Sequence, residues 1–337
     1  MTIGVVGLGN WGTALAQHLA ANGHKVIGWS SDSKIVEGIN QSRLNPRYQR
    51  EVALSENMKA TSSIEDLVGS SFLIIALPSH ALADAVKLFS SSSATALLSD
   101  ISSSTVVVSA VKGLEHDTLQ TPLQFLAANL KGNNSYVVLS GPSFATDVAN
   151  CRPVGVVAAS VDEEAARSVA ELFSIGSMRV YISVDPIGVE VGGVCKNVVA
   201  LAAGVCDGMQ LGDSARAGLI TRGLAEITRL AVAMGAERQT LSGLAGLGDL
   251  AMTASSLTSR NYTVGYRLGK GESLEVIVKT LGSVAEGVIS TPLVLRLAKQ
   301  HCVEMPIAEV VNLLLEGKIS PRDLVHRLLS RPMKREF

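Results

Sequence analysis

The sequence predicts two domains of different class: an α/β domain built on a mostly parallel sheet, residues 1–186, followed by an all-α C-terminal domain, residues 187–337. Three observations carry this. Short β-branched runs alternate with helical patterns up to Asp185-Pro186, as repeated βαβ units require. Beyond that point helical periodicity takes over, and residues 215–234, 274–281, 291–299 and 307–315 are the expected helices. Residues 191–206 are too long a run for a strand, contain no proline and hold one charged side chain, Lys196, so they predict a buried helix that starts near Ile187.

Composition narrows the class. With 337 residues and 47% hydrophobic content the chain can bury a large core. A net charge of -1, with no basic block interleaved by aromatics, points away from nucleic acid. No uncharged apolar run approaches the roughly 20 residues that span a bilayer, and the N-terminus enters a strand without a basic leader. No membrane span is therefore expected, and a cytoplasmic or plastid-stromal setting is. The four cysteines, Cys151, Cys195, Cys206 and Cys302, are too scattered for a zinc or redox motif and are expected as small buried hydrophobes, with no metal.

The first strand, residues 3–6, runs into Gly7-Leu8-Gly9-Asn10-Trp11-Gly12 and then an Ala/Leu-rich helix that stops at Asn22-Gly23. This is G-x-G-x-x-G in strand–turn–helix context, the Rossmann-like dinucleotide fingerprint. Gly7 permits the tight turn, Gly9 lets backbone approach a pyrophosphate, and Gly12 lets the helix pack on the strand. The helix N-terminus then faces the phosphates.

The second strand, residues 25–29, ends in Ser30-Ser31-Asp32. Asp32 is either the acid that reads the adenosine ribose or the N-cap of the helix over residues 33–40, and the serines suit a 2′-phosphate equally well. Both NAD(H) and NADP(H) stay open as cofactor. Residues 41–57 read as a loop, 58–61 as a strand, and 62–65 as a capping box for a following helix. The apolar run 72–77 reads as a central strand closed by Pro78-Ser79-His80, with His80 as a loop or capping residue. After a serine-rich connection, residues 90–104, the strand 105–111 delivers Lys112, either an anion contact or a surface lysine. The strand 136–140 ends in Gly141-Pro142-Ser143-Phe144, a turn whose N–H groups and Ser143 hydroxyl suit a substrate oxygen. A strand over 153–159, a helix over 162–173 and a strand over 178–183 finish the domain.

In the helical half, Lys196 calls for explanation, because a buried ammonium costs several kcal/mol unless it is paired. Either it is a structural ion pair or it acts on a ligand. Asp249 lies in the glycine-rich run 243–250, and Ser259-Arg260-Asn261 offers a guanidinium fork with neutral donors, either an anion clamp or a helix start. A dinucleotide turn, one lysine, one acid and an anion clamp form the set that hydride transfer to a ketone needs. Lysine's reference pKa is about 10.4, so burial must lower it and the acid must limit the fall if it is to exchange a proton.

The motifs Gly-Leu-Gly-Asn-Trp-Gly-Thr-Ala, Leu-Pro-Ser-His, Val-Lys-Gly-Leu, Ser-Gly-Pro-Ser-Phe-Ala, Cys-Lys-Asn-Val-Val-Ala-Leu, Gly-Leu-Gly-Asp-Leu, Ser-Arg-Asn and Ala-Glu-Gly stand in this order from residue 3 to about residue 315. In order and spacing the chain resembles NAD(P)-dependent glycerol-3-phosphate dehydrogenases of the bacterial and plastid type. The resemblance implies reversible reduction of dihydroxyacetone phosphate to sn-glycerol 3-phosphate, supplying glycerophospholipid synthesis. It implies that Lys196 is the proton acceptor in the oxidation direction and that Lys112, Gly141, Ser143, Asp249, Ser259, Arg260 and Asn261 contact substrate. Asn10, Trp11, Ala145, Val284 and Glu286 take the place of cofactor contacts, with Lys112 and Arg260 shared. Ser31 stands where a basic residue is frequent, Arg50 and Ser55 where prolines are usual, and Ala254 where a cysteine is common. A homodimer is the expected assembly. Another two-domain reductase with a lysine on its helical domain, for a β-hydroxyacid or ketopantoate, would share the architecture but not these motifs.

Overall fold

Eight strands form one sheet in the order β3-β2-β1-β4-β5-β6-β7-β8. They are β1 (Thr2–Val6), β2 (Lys25–Trp29), β3 (Met58–Thr61), β4 (Phe72–Ile75), β5 (Val106–Ser109), β6 (Ser135–Ser140), β7 (Val154–Ala159) and β8 (Met178–Ser183). In this computed structural model residues 1–90, 105–130, 135–282, 285–333 and 335–336 are described. Nearly all of the expected 90–104 connection, and Val284, lie outside them. Strands β1 to β6 are parallel, β7 runs antiparallel to β6, and β8 is parallel to β7. Strand order reverses at β1, which pairs with both β2 and β4, so a ligand crevice is expected at the carboxyl ends there.

The central strands read as continuous apolar runs because both faces are covered. Ile3, Val5 and Ile74 pack in one core layer with Leu15 and Leu19 of α1 (Asn10–Ala21). Val6, Leu73 and Ile75, on the alternate positions, pack in the other with Leu82 and Val86 of α3 (Leu82–Ser90). The remaining helices of this unit are α2 (Ser33–Ser42), α4 (Pro122–Asn129), α5 (Ala145–Ala149) and α6 (Glu163–Phe173).

The helical half holds α7 (Pro186–Gly208), α8 (Asp213–Ala233), α9 (Asp249–Thr253), α10 (Arg260–Gly269), α11 (Leu274–Leu281), α12 (Glu286–Gln300), α13 (Pro306–Leu315) and α14 (Pro321–Leu329). Packing divides the chain into units Met1–Glu190 and Val191–Phe337, with α7 running through the division. Asp185 Oδ1 accepts the Gly188 N–H at 2.8 Å, which starts α7 at a proline in the first turn.

Several expectations need correction. The capping box at 62–65 does not form: Ile64–Leu67 is a single 3₁₀ turn, and the Ser63 hydroxyl donates to Glu65 instead of accepting from backbone. Cys195 and Cys206 are buried, whereas Cys151 and Cys302 are exposed at φ 54° just past the ends of α5 and α12, where the chain must leave the helix. Helix α12 begins at Glu286 and carries Pro292 inside it, so the proline does not mark its start. One described helix, α7, is long and apolar enough to cross a membrane by length and composition, but it carries Glu190 and Lys196 and so is not an uncharged apolar run; its apolar stretch is 100% buried within the fold.

Within α7, Glu190 is buried and its Oε1 accepts the Leu123 N–H at 2.8 Å in the first turn of α4. Burial pushes this carboxyl up from an ordinary 4.5 to about 7, against the lowering effect of its bonds from Thr121 and Leu123. A folded-state value above the unfolded one gives stability that is full below pH 4.5 and lost as pH rises through 7. Glu190→Gln keeps the acceptor and removes the charge, so we expect the variant to lose up to roughly 3 kcal/mol less stability than wild type between pH 5 and 8. Denaturant unfolding at both pH values measures this; equal losses in the two proteins would refute it.

Candidate active site

At the dinucleotide turn, Gly7 has φ 101° and a Cβ there would meet Ala76 O at 2.8 Å, so only glycine fits the turn. A Cβ on Gly12 would lie 1.8 Å from Gly7 O, and this absence of side chain lets α1 sit on the strand end. Gly9, by contrast, faces open space and is the N-cap of α1 without any side-chain cap. No acid stands in the first turn of α1, so the positive end of its dipole and its first N–H groups suit an anion. Trp11 Nε1 is buried with no partner among the described residues, an orphan donor at the same turn. An uncapped helix start under an open glycine, with an orphaned donor beside it, fits a dinucleotide pyrophosphate. Asn10 is exposed and its Oδ1 accepts from Gln49 Nε2 at 2.8 Å.

Farther along the same sheet edge, Lys112, Gly141 and Ser143 come together. Lys112 Nζ donates to Gly141 O at 3.2 Å, and the Ser143 hydroxyl donates to the same carbonyl at 3.1 Å. Gly141 sits at φ 141° with Val156 Cα 2.9 Å from where its Cβ would be. Ala145 begins α5 immediately after. Ser31 is exposed at the end of β2, whereas Asp32 caps α2 by accepting the Lys34 N–H at 3.0 Å.

In the helical unit the lysine has its partners. Lys196 is 5% exposed and Asp249 0%, and the ammonium donates to Asp249 Oδ1 and to Thr253 Oγ1, the latter at 2.7 Å. Thr253 follows Asp249 by one turn of α9 and was missed in the sequence, although its i+4 spacing from the acid carries the signal. A π-helical turn, Leu244–Gly248, leads into Asp249, and a Cβ on Gly246 would lie 2.1 Å from Leu241 O, so the glycine-rich run is what lets this tight approach close. Cys195, next to the lysine, is buried, and burial, then the Glu226 charge, push its thiol up to about 12.

Ser259, Arg260 and Asn261 start α10. Ser259 Oγ is its N-cap, accepting the Tyr262 N–H at 3.3 Å, and Arg260 is exposed at the first helical position. Asn261 is buried, and its amide serves the protein: Nδ2 donates to Asn197 Oδ1 at 2.8 Å and Oδ1 accepts the Gly287 N–H at 2.8 Å. One side chain thus ties α7, α10 and the start of α12, where Glu286 stands. Asn197, one residue past Lys196, is thereby a second member of this cluster that spacing in the sequence does not reveal. Helix α10 lies backbone to backbone on α7, since a Cβ on Gly265 would meet Leu201 O at 2.0 Å and one on Gly204 would meet Tyr262 O at 2.1 Å. Among the described residues there is no cluster of three or more His, Cys, Asp or Glu able to hold a metal.

The fold and these clusters are those of an NAD(P)-dependent dehydrogenase with a Rossmann-type domain and a helical domain. The family profile for the N-terminus of NAD-dependent glycerol-3-phosphate dehydrogenase matches residues 2–166, and that for its C-terminus matches residues 185–326. The glycerol-3-phosphate dehydrogenase [NAD(P)+] 2 of Salinibacter ruber is 43% identical over 99% of this chain and 96% of its own length. A solved glycerol-3-phosphate dehydrogenase from Coxiella burnetii superposes with a TM-score of 0.91 at 36% identity, covering 98% of this chain and 99% of that one. A ketopantoate reductase from Ralstonia eutropha shares the fold alone, with a TM-score of 0.61 at 16% identity over 97% of this chain and 100% of that one. The chain belongs to the NAD-dependent glycerol-3-phosphate dehydrogenase family.

A buried pair of opposite charges is costly to break and cheap to replace by apolar groups. Asp249→Asn should cost about 3–5 kcal/mol by stranding the Lys196 ammonium, while Lys196→Met combined with Asp249→Leu should recover most of that. Denaturant melts of the single and double variants decide; a double variant as unstable as the single would show that the pair is needed for folding itself.

Proposed function

We propose that this protein interconverts dihydroxyacetone phosphate and sn-glycerol 3-phosphate with NAD(P)H. The observation that carries the reading is the lysine of α7, an ammonium 5% exposed and held by Asp249 and Thr253. When bound, the dihydronicotinamide supplies hydride to the carbonyl carbon. Lys196 gives a proton to the carbonyl oxygen, which makes the alcohol, and is left neutral beside Asp249. Its carboxylate favours the charged lysine and so favours reprotonation; in the oxidation direction the neutral amine accepts the hydroxyl proton. Thr253 fixes the direction of the ammonium by its hydroxyl.

Arg260, with the α10 N-terminus behind it, anchors the substrate phosphate through a planar fork of donors and the helix dipole. Ser259 and Asn261 act through this helix start, one as its cap and the other as its tie to α7. The Gly141–Ser143 turn and Lys112 offer further donors to substrate oxygens, and Lys112 and Arg260 serve both ligands. Gly7, Gly9, Asn10, Trp11, Gly12, Ser31, Ala145, Val284 and Glu286 belong to the cofactor. In this reading the first unit carries the cofactor and the second the catalytic lysine. A cytoplasmic enzyme that feeds glycerophospholipid synthesis suits two charged metabolites that do not cross membranes. A homodimer suits the apolar side chains left exposed on the edge strand β8, Tyr181 and Ile182.

The deciding experiment is an initial-rate comparison of NADH and NADPH oxidation with dihydroxyacetone phosphate; turnover of a carboxylate ketone in its place would refute the assignment. Lys196→Ala should lower turnover by roughly 10²–10⁴ with cofactor affinity nearly unchanged, because the lysine acts in the transition state. Unaltered turnover would remove it from that role. Arg260→Ala should raise the KM for the triose phosphate by roughly ten- to a hundredfold through lost charge-assisted bonds. If wild type used unphosphorylated dihydroxyacetone equally well, the phosphate clamp would be wrong.

A further inference from the structure

The loop after α2 is fixed to the dinucleotide turn by one side chain. Asn45 is fully buried, and its Nδ2 donates to Leu8 O at 3.0 Å and to Thr13 Oγ1 at 2.9 Å. Its Oδ1 accepts the N–H groups of Arg47 and Tyr48, both at 3.0 Å. Leu8 lies in the glycine turn and Thr13 in the first turn of α1, so four hydrogen bonds of one side chain tie residues 45–48 to the turn. Gln49 adds its bond to Asn10 at 2.8 Å.

That anchoring sets Arg47 at the carboxyl end of β2, where the adenosine ribose of a bound dinucleotide lies. Its Nε is 3.2 Å from Asp32 Oδ2, and its side chain is 61% exposed against 25% for Asp32. Asp32 is the one acid at the position of an NAD-type ribose reader, but it is already committed: Oδ1 caps Lys34 N–H and Oδ2 faces the guanidinium. With Arg47 beside it the Asp32 charge is answered, so the pair carries no net negative charge to repel a phosphate. The guanidinium is rigid, planar and only partly used by Asp32, as bidentate phosphate binding requires. Ser31, exposed next to Asp32, adds a neutral donor.

We propose that Arg47, from the loop and not from the strand end, reads the adenosine 2′ position by binding the 2′-phosphate of NADP(H), with Ser31, and that this chain prefers NADPH to NADH. The proposal rests on the nicotinamide-dependent reading above. Its test is calorimetric titration of the full-length protein with NADPH and with NADH, without any triose, for wild type and Arg47→Ala. Wild type should bind NADPH more tightly, and the variant should weaken NADPH by about tenfold or more while NADH stays within about twofold. An unchanged NADPH-to-NADH ratio in Arg47→Ala, or a wild type that binds NADH more tightly, would overturn the proposal. Binding of neither dinucleotide would overturn it together with the cofactor half of the functional reading. Tight NADPH binding lost in Arg47→Ala, without turnover of dihydroxyacetone phosphate, would refute the substrate and leave Arg47 standing.

Discussion

An ammonium in an apolar helix is tolerable only with its charge answered, and much of the helical unit is arranged to answer it. Lys196 lies among Val194, Cys195, Val198 and Val199, all nearly inaccessible. Its compensation comes from 53 residues away in sequence, through a carboxylate with no exposure at all. Because the interaction is strong and the surroundings dry, Asp249 must be placed closely, which explains the unusual backbone before it. The π-helical turn and the Gly246 approach to Leu241 give the chain a route to that place that a regular helix would not provide.

The second constraint is the spacing between the start of α10, where Arg260 stands, and the lysine of α7. Here the relevant bonds are neutral. Asn261 spends its amide on Asn197 and Gly287, which locks the start of α10 to the residue following Lys196. Glycines at 204, 208, 265 and 269 remove the side chains that would separate α7 from α10, and Cβ atoms there would lie 2.0–2.5 Å from facing carbonyls. Small residues thus act on the site through geometry, by setting how far Arg260 can stand from Lys196.

Much of this was legible in the sequence, for reasons that differ by element. The strands of the first unit were readable because burial on both faces makes them continuous β-branched runs, and the glycine turn because each glycine answers a separate steric demand. The α14 cap, Ser320-Pro321-Arg322-Asp323, carries a box that the structure forms, while the similar pattern at 62–65 predicts a helix start that does not form. The difference lies in local side-chain bonds: Thr61 donates to Asp66 at 2.5 Å and Ser63 to Glu65, within a segment that makes only a single 3₁₀ turn. The reversal of β7 against β6 has no local signature, since the same apolar alternation suits either direction. Nor could spacing show that Asn45 would reach Leu8 and Thr13, or that Arg47 would meet Asp32.

The helix that passes for a membrane span shows why composition alone misleads here. Over Pro186–Gly208 the mean hydropathy reaches 1.5 in its best window, yet every residue of that window is inside the protein. A bilayer would leave Glu190 and Lys196 without partners, at a cost of several kcal/mol each. In the fold each meets its own: Glu190 the N–H of Leu123, and Lys196 the carboxylate of Asp249. The two ionisable side chains within that apolar surface are therefore what distinguishes a core helix from a lipid-facing one. The same apolar surroundings that would pass for a lipid anchor keep Lys196 nearly inaccessible, so the charge of its ammonium is governed by what the fold places against it, the Asp249 carboxylate and the Thr253 hydroxyl among them.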